Sequence, residues 1–275
     1  MARRWSIVAG AILVLIGIRI IGDRLLDFLG LNFRIGWLFW PLVLIGVGVW
    51  IIQGYGRGGW KGGDVPREDA SIPLDGATEA FIRIQHGAGR LSFSAGAAAD
   101  LLLAGSFGGG LDARSTRDGG KLSVEMRIKE RDVTRFIGNW GRGRHGFLDW
   151  DFKLRQGIPL SLVLETGANE TRADMTDLMV SDVRLKTGAS STVMNLPARA
   201  GLTRVAVESG AASVKLRVPD GVAARIRVSS ALSGITISAA RFPRQGDYYV
   251  SADWDSAPNK ADITVESGVG SIEVL

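Results

Sequence analysis

One short pattern recurs six times between residues 82 and 268, and it constrains the fold more than any other feature of the chain. Each copy places apolar residues five and three positions before a small residue, which is glycine in five copies and alanine in one. The positions four and six places beyond that residue are again mostly apolar. The copies are IRIQHG (82–87), LVLETG (162–167), VRLKTG (183–188), VAVESG (205–210), IRVSSA (226–231) and ITVESG (263–268).

The apolar residues lie an odd number of positions before the small residue but an even number of positions after it. In a straight strand alternate residues face opposite sides, so one inward-facing set cannot continue across this change. Each unit is therefore predicted to be a strand, a corner and a second strand. Glycine takes a positive φ without steric cost, and a preceding Ser or Thr can bond the local backbone, so we expect both features at the corner. The corner glycines are Gly87, Gly167, Gly188, Gly210 and Gly268.

The spacing of the units predicts how they assemble. From Gly167 to Ala231 they advance by 21 or 22 residues, and a longer interval of 37 residues precedes Gly268. A period of roughly 20 to 50 residues is typical of units that stack, each burying its face against the next. The sequence thus predicts an all-β carboxy-terminal domain, a stacked β-solenoid over residues 71–275. A β-sandwich with strands every roughly 8 to 12 residues is the alternative, and the fixed offset of the glycine favours the solenoid.

Two apolar segments near the amino terminus predict an α-helical transmembrane hairpin over residues 1–56. Residues 5–22 contain one charge, Arg19, and residues 35–56 contain none. About 20 apolar residues are enough to cross a hydrocarbon core about 30 Å thick. A cleaved signal peptide is the alternative for the first segment, and a buried hairpin in a soluble domain is the alternative for both. A glycine-rich linker over residues 57–70 follows the hairpin.

Positive charge sets the predicted orientation of this hairpin. More Lys and Arg residues flank the two apolar segments than lie between them, which favours both ends on the cytoplasmic side. The sequence therefore predicts a two-pass protein of the cell membrane, with the lipid bilayer as a partner. The flanking cations are Arg3, Arg4, Arg57, Lys61 and Arg67, and those between the segments are Arg24 and Arg34.

Residues that could carry catalysis are sparse. The chain has no cysteine and two histidines, which excludes thiol catalysis, cysteine-bound zinc and disulfides. Glu165, Glu208 and Glu266 form a ladder of carboxylates before the corners, and the solvated face of the strands explains them. Ser209 and Ser267 lack the G-x-S-x-G frame of a nucleophile elbow. We therefore expect no enzyme activity, no cofactor and no metal site.

Residues 131–155 break the period-two pattern and combine six basic side chains with several large aromatic ones. This composition suits an anionic lipid surface or a protein partner. A loop that packs its aromatic side chains on the end of the solenoid is the alternative, and nucleic acid, which such a segment could also stack with, is not predicted as a partner. The candidate contact residues are Trp140, Arg142, Arg144 and Trp150.

Two stretches carry a resemblance to a known family. FWPLVLIGVGVWII (39–52) resembles the hydrophobic spans of the LiaF-like membrane proteins of bacteria, and residues 150–197 resemble their toast-rack domain. The resemblance implies a toast-rack β-solenoid and a role in envelope-stress regulation, which in the best-known branch restrains a sensor histidine kinase. We thus predict a non-enzymatic, membrane-anchored regulator or scaffold of the bacterial cell envelope, with a membrane sensor kinase or another envelope protein as its partner. The alternative is an adhesin or structural β-solenoid module that faces outward.

Overall fold

The computed structural model describes residues 67–129 and 148–275. The secondary-structure elements within these residues are all β-strands. The predicted hairpin of residues 1–56 and most of the predicted linker lie outside these residues. No described residue belongs to a helix long and apolar enough to cross a membrane. The strands are β1 (Arg67–Pro73), β2 (Glu79–Ala95), β3 (Leu101–Gly108), β4 (Leu111–Asp118), β5 (Lys121–Ile128), β6 (Trp150–Leu154), β7 (Pro159–Asp174), β8 (Met179–Asn195), β9 (Leu202–Arg217), β10 (Ala223–Ile237), β11 (Arg244–Gln245), β12 (Tyr248–Val250) and β13 (Lys260–Val274).

Six long strands run parallel and side by side, and we refer to each of them as a rung. Each rung is 15 to 17 residues long and contains one copy of the repeated pattern. The prediction of an all-β domain is therefore confirmed. Across the sheet the rungs follow the order β2, β7, β8, β9, β13 and β10.

The rungs are aligned so that equivalent positions of the repeat form columns across the sheet. Leu164 lies beside Leu185, Leu185 beside Val207, and Val207 beside Val265. All four side chains are buried. Burial of apolar surface contributes about 25 cal/mol per Å², so these inward columns supply the stabilising core of the stack.

The order of the rungs departs from their order along the chain. We expected each unit to stack on the next, but β13 lies between β9 and β10 and pairs with both. After β10 the chain forms the short strands β11 and β12. It then returns to the side of the sheet at which the rungs start, so that β13 runs parallel to β9 and β10. The interval of 37 residues before Gly268, longer than the other intervals, provides this return path.

The change of facing at the glycine is confirmed, but the rung does not divide into two strands there. Strand β7 runs without a break from Pro159 to Asp174. Its ladder to β8 pairs Thr166 with Thr187 and then Ala168 with Ala189, leaving the two glycines between them unpaired. The backbone therefore bends at this point and exchanges its inward and outward faces. Buried residues of β7 include Leu160, Leu162, Leu164, Thr166, Asn169, Thr171 and Ala173.

Two strands share the other side of β2. Strand β5 pairs with its first half and β6 with its second half. The alternating stretch 121–128, predicted as a strand, coincides with β5. Aromatic side chains fill the core here: the rings of Phe93 and Phe152 stack at 5.4 Å, and Phe107 meets Trp150 edge-on at 5.2 Å. These rings close the end of the stack that is formed by the earlier part of the sequence.

Candidate functional site

A groove of about 910 Å³ crosses all six rungs at the point where they bend, and we call it the corner groove. It is lined by up to three successive positions of each repeat: a polar rim residue, a buried residue that usually carries a hydroxyl, and the glycine. The groove thus arises from the repeated pattern itself and not from an added loop. Its floor includes Gly87, Gly167, Gly210, Gly268 and Ala231.

Close approach of neighbouring rungs explains the corner glycines. The positive φ that we predicted is wrong, because none of the five adopts it. Instead, a Cβ atom on Gly268 would lie 2.7 Å from the carbonyl oxygen of Gly210, and one on Gly167 would overlap the oxygen of Gly87 more severely. A Cβ atom on Gly87, the first of the column, would meet nothing within 4 Å. The absence of side chains leaves backbone exposed along the floor of the groove.

Some of the hydroxyl groups below the floor form hydrogen bonds across neighbouring rungs. Thr166 Oγ1 donates to Thr187 Oγ1 at 2.9 Å, where we had expected a bond to the local backbone. Ser209 follows Thr187 in the same column and is buried, and its Oγ has no hydrogen-bond partner among the described residues. A buried polar group without a partner costs roughly 1 to 3 kcal/mol. This buried hydroxyl therefore retains unmet hydrogen-bonding capacity beneath the floor of the groove.

His86 replaces the hydroxyl in the first rung. Its Nε2 donates to the carbonyl oxygen of Leu148 at 2.6 Å, and its ring packs edge-on to Trp150 at 5.1 Å. Burial lowers the pKa of His86, although the bond to Leu148 and the charge of Asp149 act in the opposite direction. Nδ1 is buried without a partner in the described part of the chain. The imidazole is thus held neutral at this end of the groove.

The rim of the corner groove carries charges of both signs. Lys186 Nζ lies 2.9 Å from Glu208 Oε2, and Gln85 Nε2 donates to Glu165 Oε2 at 2.6 Å. Glu266 stands beside Glu208 in the ladder and forms no ion pair within residues 67–129 and 148–275. Exposed ion pairs contribute about 0 to 1 kcal/mol, so these charges have little part in holding the fold together. Their replacement should therefore change the stability of the fold little.

The carboxylates of the rim were predicted as solvated surface, and they do face outward. The sequence analysis did not join them into a groove, although the signal was present in the fixed offset of the rim position, two residues before the glycine. The described residues contain no cluster of three or more His, Cys, Asp or Glu side chains suited to a metal ion. The rim residues are Gln85, Glu165, Lys186, Glu208, Glu266 and Ser229.

The predicted contact residues of the basic aromatic insert have two different outcomes. Trp140, Arg142 and Arg144 lie outside the described residues. Trp150 is a core residue, so its assignment as a contact residue is wrong. Its side chain has no exposed surface, and its Nε1 donates to the carbonyl oxygen of Gly108 at 3.0 Å.

These features define a stacked parallel β-protein with a polar groove across its rungs. The chain belongs to the toast-rack family, because the model of the N-terminal domain of toast_rack, DUF2154, matches residues 61–217. The toast-rack part of the expected resemblance is thereby confirmed.

Two solved structures resemble this chain. A candidate cell adhesion protein from Clostridium sporogenes superposes with a TM-score of 0.67 at 17% identity, over 76% of this chain and 98% of that one. A candidate adhesin from Bacteroides fragilis gives a TM-score of 0.24 at 9% identity, over 76% of this chain and 96% of that one, a score too low to support an argument. No curated protein sequence matches the chain. The first likeness shows a shared fold.

Proposed function

We propose that this chain is a non-enzymatic, membrane-anchored binding protein of the bacterial cell envelope, which holds an elongated partner in the corner groove. The amino-terminal hairpin anchors it as a two-pass protein with both ends in the cytoplasm. In this role it regulates or scaffolds an envelope protein, such as a membrane sensor kinase, as the LiaF-like resemblance implies. The observation that carries the proposal is a polar groove that crosses six aligned rungs.

The shape and lining of the groove support an extended partner. Neighbouring rungs are about 4.8 Å apart, so the groove presents equivalent positions at a regular spacing. Exposed backbone at the floor and the charged rim offer hydrogen bonds and ion pairs along one line. An extended polypeptide segment with polar and cationic side chains matches this lining.

The same geometry argues against catalysis in the groove. A serine nucleophile requires a base within hydrogen-bond reach, about 2.6 to 3.2 Å. Ser209 and His86 occupy the same column but are separated by two intervening rungs, so they are roughly 14 Å apart. Neither residue can therefore activate the other.

Photo-crosslinking in intact cells tests the groove. A photoreactive amino acid in place of Lys186 should capture a partner, whereas the same group at Arg184 should not. Arg184 is the matched control because it is also exposed and outward-facing on β8, two residues before Lys186, but does not line the groove. Equal capture at both positions, or capture at neither, would contradict the proposed binding site.

An adhesin is the second candidate, and it is favoured by the fold shared with the Clostridium sporogenes protein. The side of the membrane on which the rungs lie separates the two candidates. Since the chain has no cysteine, Ser256→Cys gives a single exposed label site. Reaction with an impermeant maleimide on intact cells would favour the adhesin, and protection until lysis would favour the regulator.

A further inference from the structure

The last rung of the stack, β10, has an open edge. Strand β13 pairs with it from Ala223 to Ile237, but on its other side β12 pairs only with Arg225 and Ile226. From Arg227 to Ile237 no described strand covers that second edge. Backbone N–H and C=O groups on such an edge are a template for a further strand.

Apolar side chains become larger and more exposed toward this edge. The position after the corner is alanine in the first four rungs, then Val269 in β13 and Leu232 in β10. Val269 is 51% exposed and Leu232 is 77% exposed. Ile235 faces the core side and is 43% exposed, although its neighbour Ile272 in β13 is almost fully buried. The core of the stack is therefore uncovered at β10.

The open edge also lacks the features that keep strand edges apart. Residues 228–240 contain no charged residue and no proline. At the opposite end of the sheet, β1 has the sequence REDASIP and β4 the sequence LDARSTRD, and the side chains of β4 after Leu111 are exposed. Charges and proline at an edge are common protection against strand addition. Only the β10 end of the described stack is unprotected in this way.

We propose that β10 of one chain pairs antiparallel with β10 of a second copy, which extends the sheet across a twofold axis. Residues 228–237 of the edge are uncharged, so they meet the same residues of a second copy without repulsion, whereas pairing with the charged β1 end of another copy would bury charges. The contact uses the same surface on both copies, so it closes as a dimer and does not propagate. The exposed faces of Leu232 and Ile235 become covered. This inference does not rest on the function proposed for the groove.

Spin labels on the full chain in detergent micelles test this arrangement by double electron–electron resonance. In Thr236→Cys the two labels should lie within about 30 Å, because both are on the paired strands. In Arg172→Cys, at the equivalent position of the inner rung β7, nine strand spacings should separate the labels by at least about 40 Å. A distance at residue 172 shorter than that at residue 236, or no dipolar signal at residue 236, would overturn the proposal.

A charged edge should break the dimer. Ile235→Lys places like charges opposite each other, so light scattering with the detergent mass subtracted should give one copy instead of two. Leu202→Lys is the matched control, because Leu202 is 40% exposed on β9 and lies away from the open edge, and it should stay dimeric. Leu232→Lys, at a mostly exposed position, should repeat the effect without disturbing the fold. A monomeric parent, or a dimer unaffected by both edge lysines, would exclude the self-pairing.

Discussion

The corner glycines show that a residue can be required by its neighbours in space and not by its own torsion angles. The glycines of successive rungs lie beside one another, and in all but the first a side chain would press on the carbonyl oxygen of the rung before. Insertion of extra atoms into a packed site costs typically about 1 to 3 kcal/mol. The position in the stack therefore decides how harmful a substitution is.

Gly167→Ala is expected to lower the free energy of unfolding by about 1 to 3 kcal/mol, since its Cβ would overlap the oxygen of Gly87. Gly87→Ala, at the same position of the repeat but with open space, should have a much smaller effect. Urea denaturation of the full chain in mild detergent, followed by circular dichroism, measures both. Equal destabilisation by the two variants would show that the corner requires glycine for some reason other than close approach.

Acidification is expected to destabilise the stack through His86. Burial holds its pKa below the ordinary value near 6.5, so below about pH 6.5 the unfolded chain binds a proton that the folded protein does not. Stability rises with pH wherever the unfolded state binds more protons, so the contribution of neutral His86 is complete above about pH 6.5 and is lost below it.

His86→Thr, which introduces the residue found at this position in β7 and β8, should flatten the fall in stability below about pH 6.5. The lowered pKa values of Glu68, Glu170 and Asp174 act only below about pH 4.5, so they do not obscure the fall above that pH. Urea titrations at several pH values measure the slope. A variant that keeps the slope of the parent would remove His86 as its source.

At the scale of strands, β13 joins two rungs that precede it in the sequence. Its ladder runs along most of β9 on one side and along the full length of β10 on the other. Strand β13 therefore forms backbone hydrogen bonds with each neighbour along nearly its whole length. The short strand β12, in contrast, contacts β10 over two residue pairs. The two elements should differ greatly in their contribution to stability.

Deletion of residues 260–275 is expected to expose β9 and β10 to solvent exchange over their whole length. Hydrogen exchange of the amides in Val205–Leu216 measures this. Those that bond to β13 should lose protection, while those that bond to β8, and the amides of β7, stay protected. Deletion of residues 244–250, which removes β11 and β12, should leave β9 unchanged. Persistent protection of the β9 amides that bond to β13 would contradict the observed order of the rungs.

The sequence predicted the features that each strand carries within itself. Alternating apolar residues and a change of facing at the glycine are local, so they predicted the rungs and their bend. The neighbours of a rung are not local, which is why the position of β13 and the true reason for Gly167 escaped prediction. Trp150 was missed although the signal was present, since WDFKL (150–154) alternates apolar and charged residues as a strand does. The groove emerges only when the rungs are aligned side by side.

At the scale of the molecule, the stack is close to one-dimensional. Each rung contacts only its neighbours, so stability is the sum of rung and interface terms. The stack should therefore accommodate a complete additional repeat as one more rung. The corner groove would lengthen by one set of floor, hydroxyl and rim positions.

Insertion of a second copy of residues 189–210 after Gly210 is expected to give a folded protein with one more rung. Its denaturant slope should exceed that of the parent, because the slope grows with the surface exposed on unfolding. The same insert without Ala206 is the control, since loss of one residue reverses the facing of part of the strand and should prevent folding. An unchanged slope for the complete insert would contradict the additive stack.

The insertion of β13 between β9 and β10 has a consequence for synthesis. The ribosome makes β10 before β13, so the place between β9 and β10 stays vacant while the next residues are translated. At about 5 to 20 residues per second, the 37 residues from Ala231 to Gly268 take roughly 2 to 7 s. During that time the edges of β9 and β10 that later pair with β13 have no partner strand. This half of the stack is therefore completed only after translation has passed it, and a chain that stalls in the interval displays both edges.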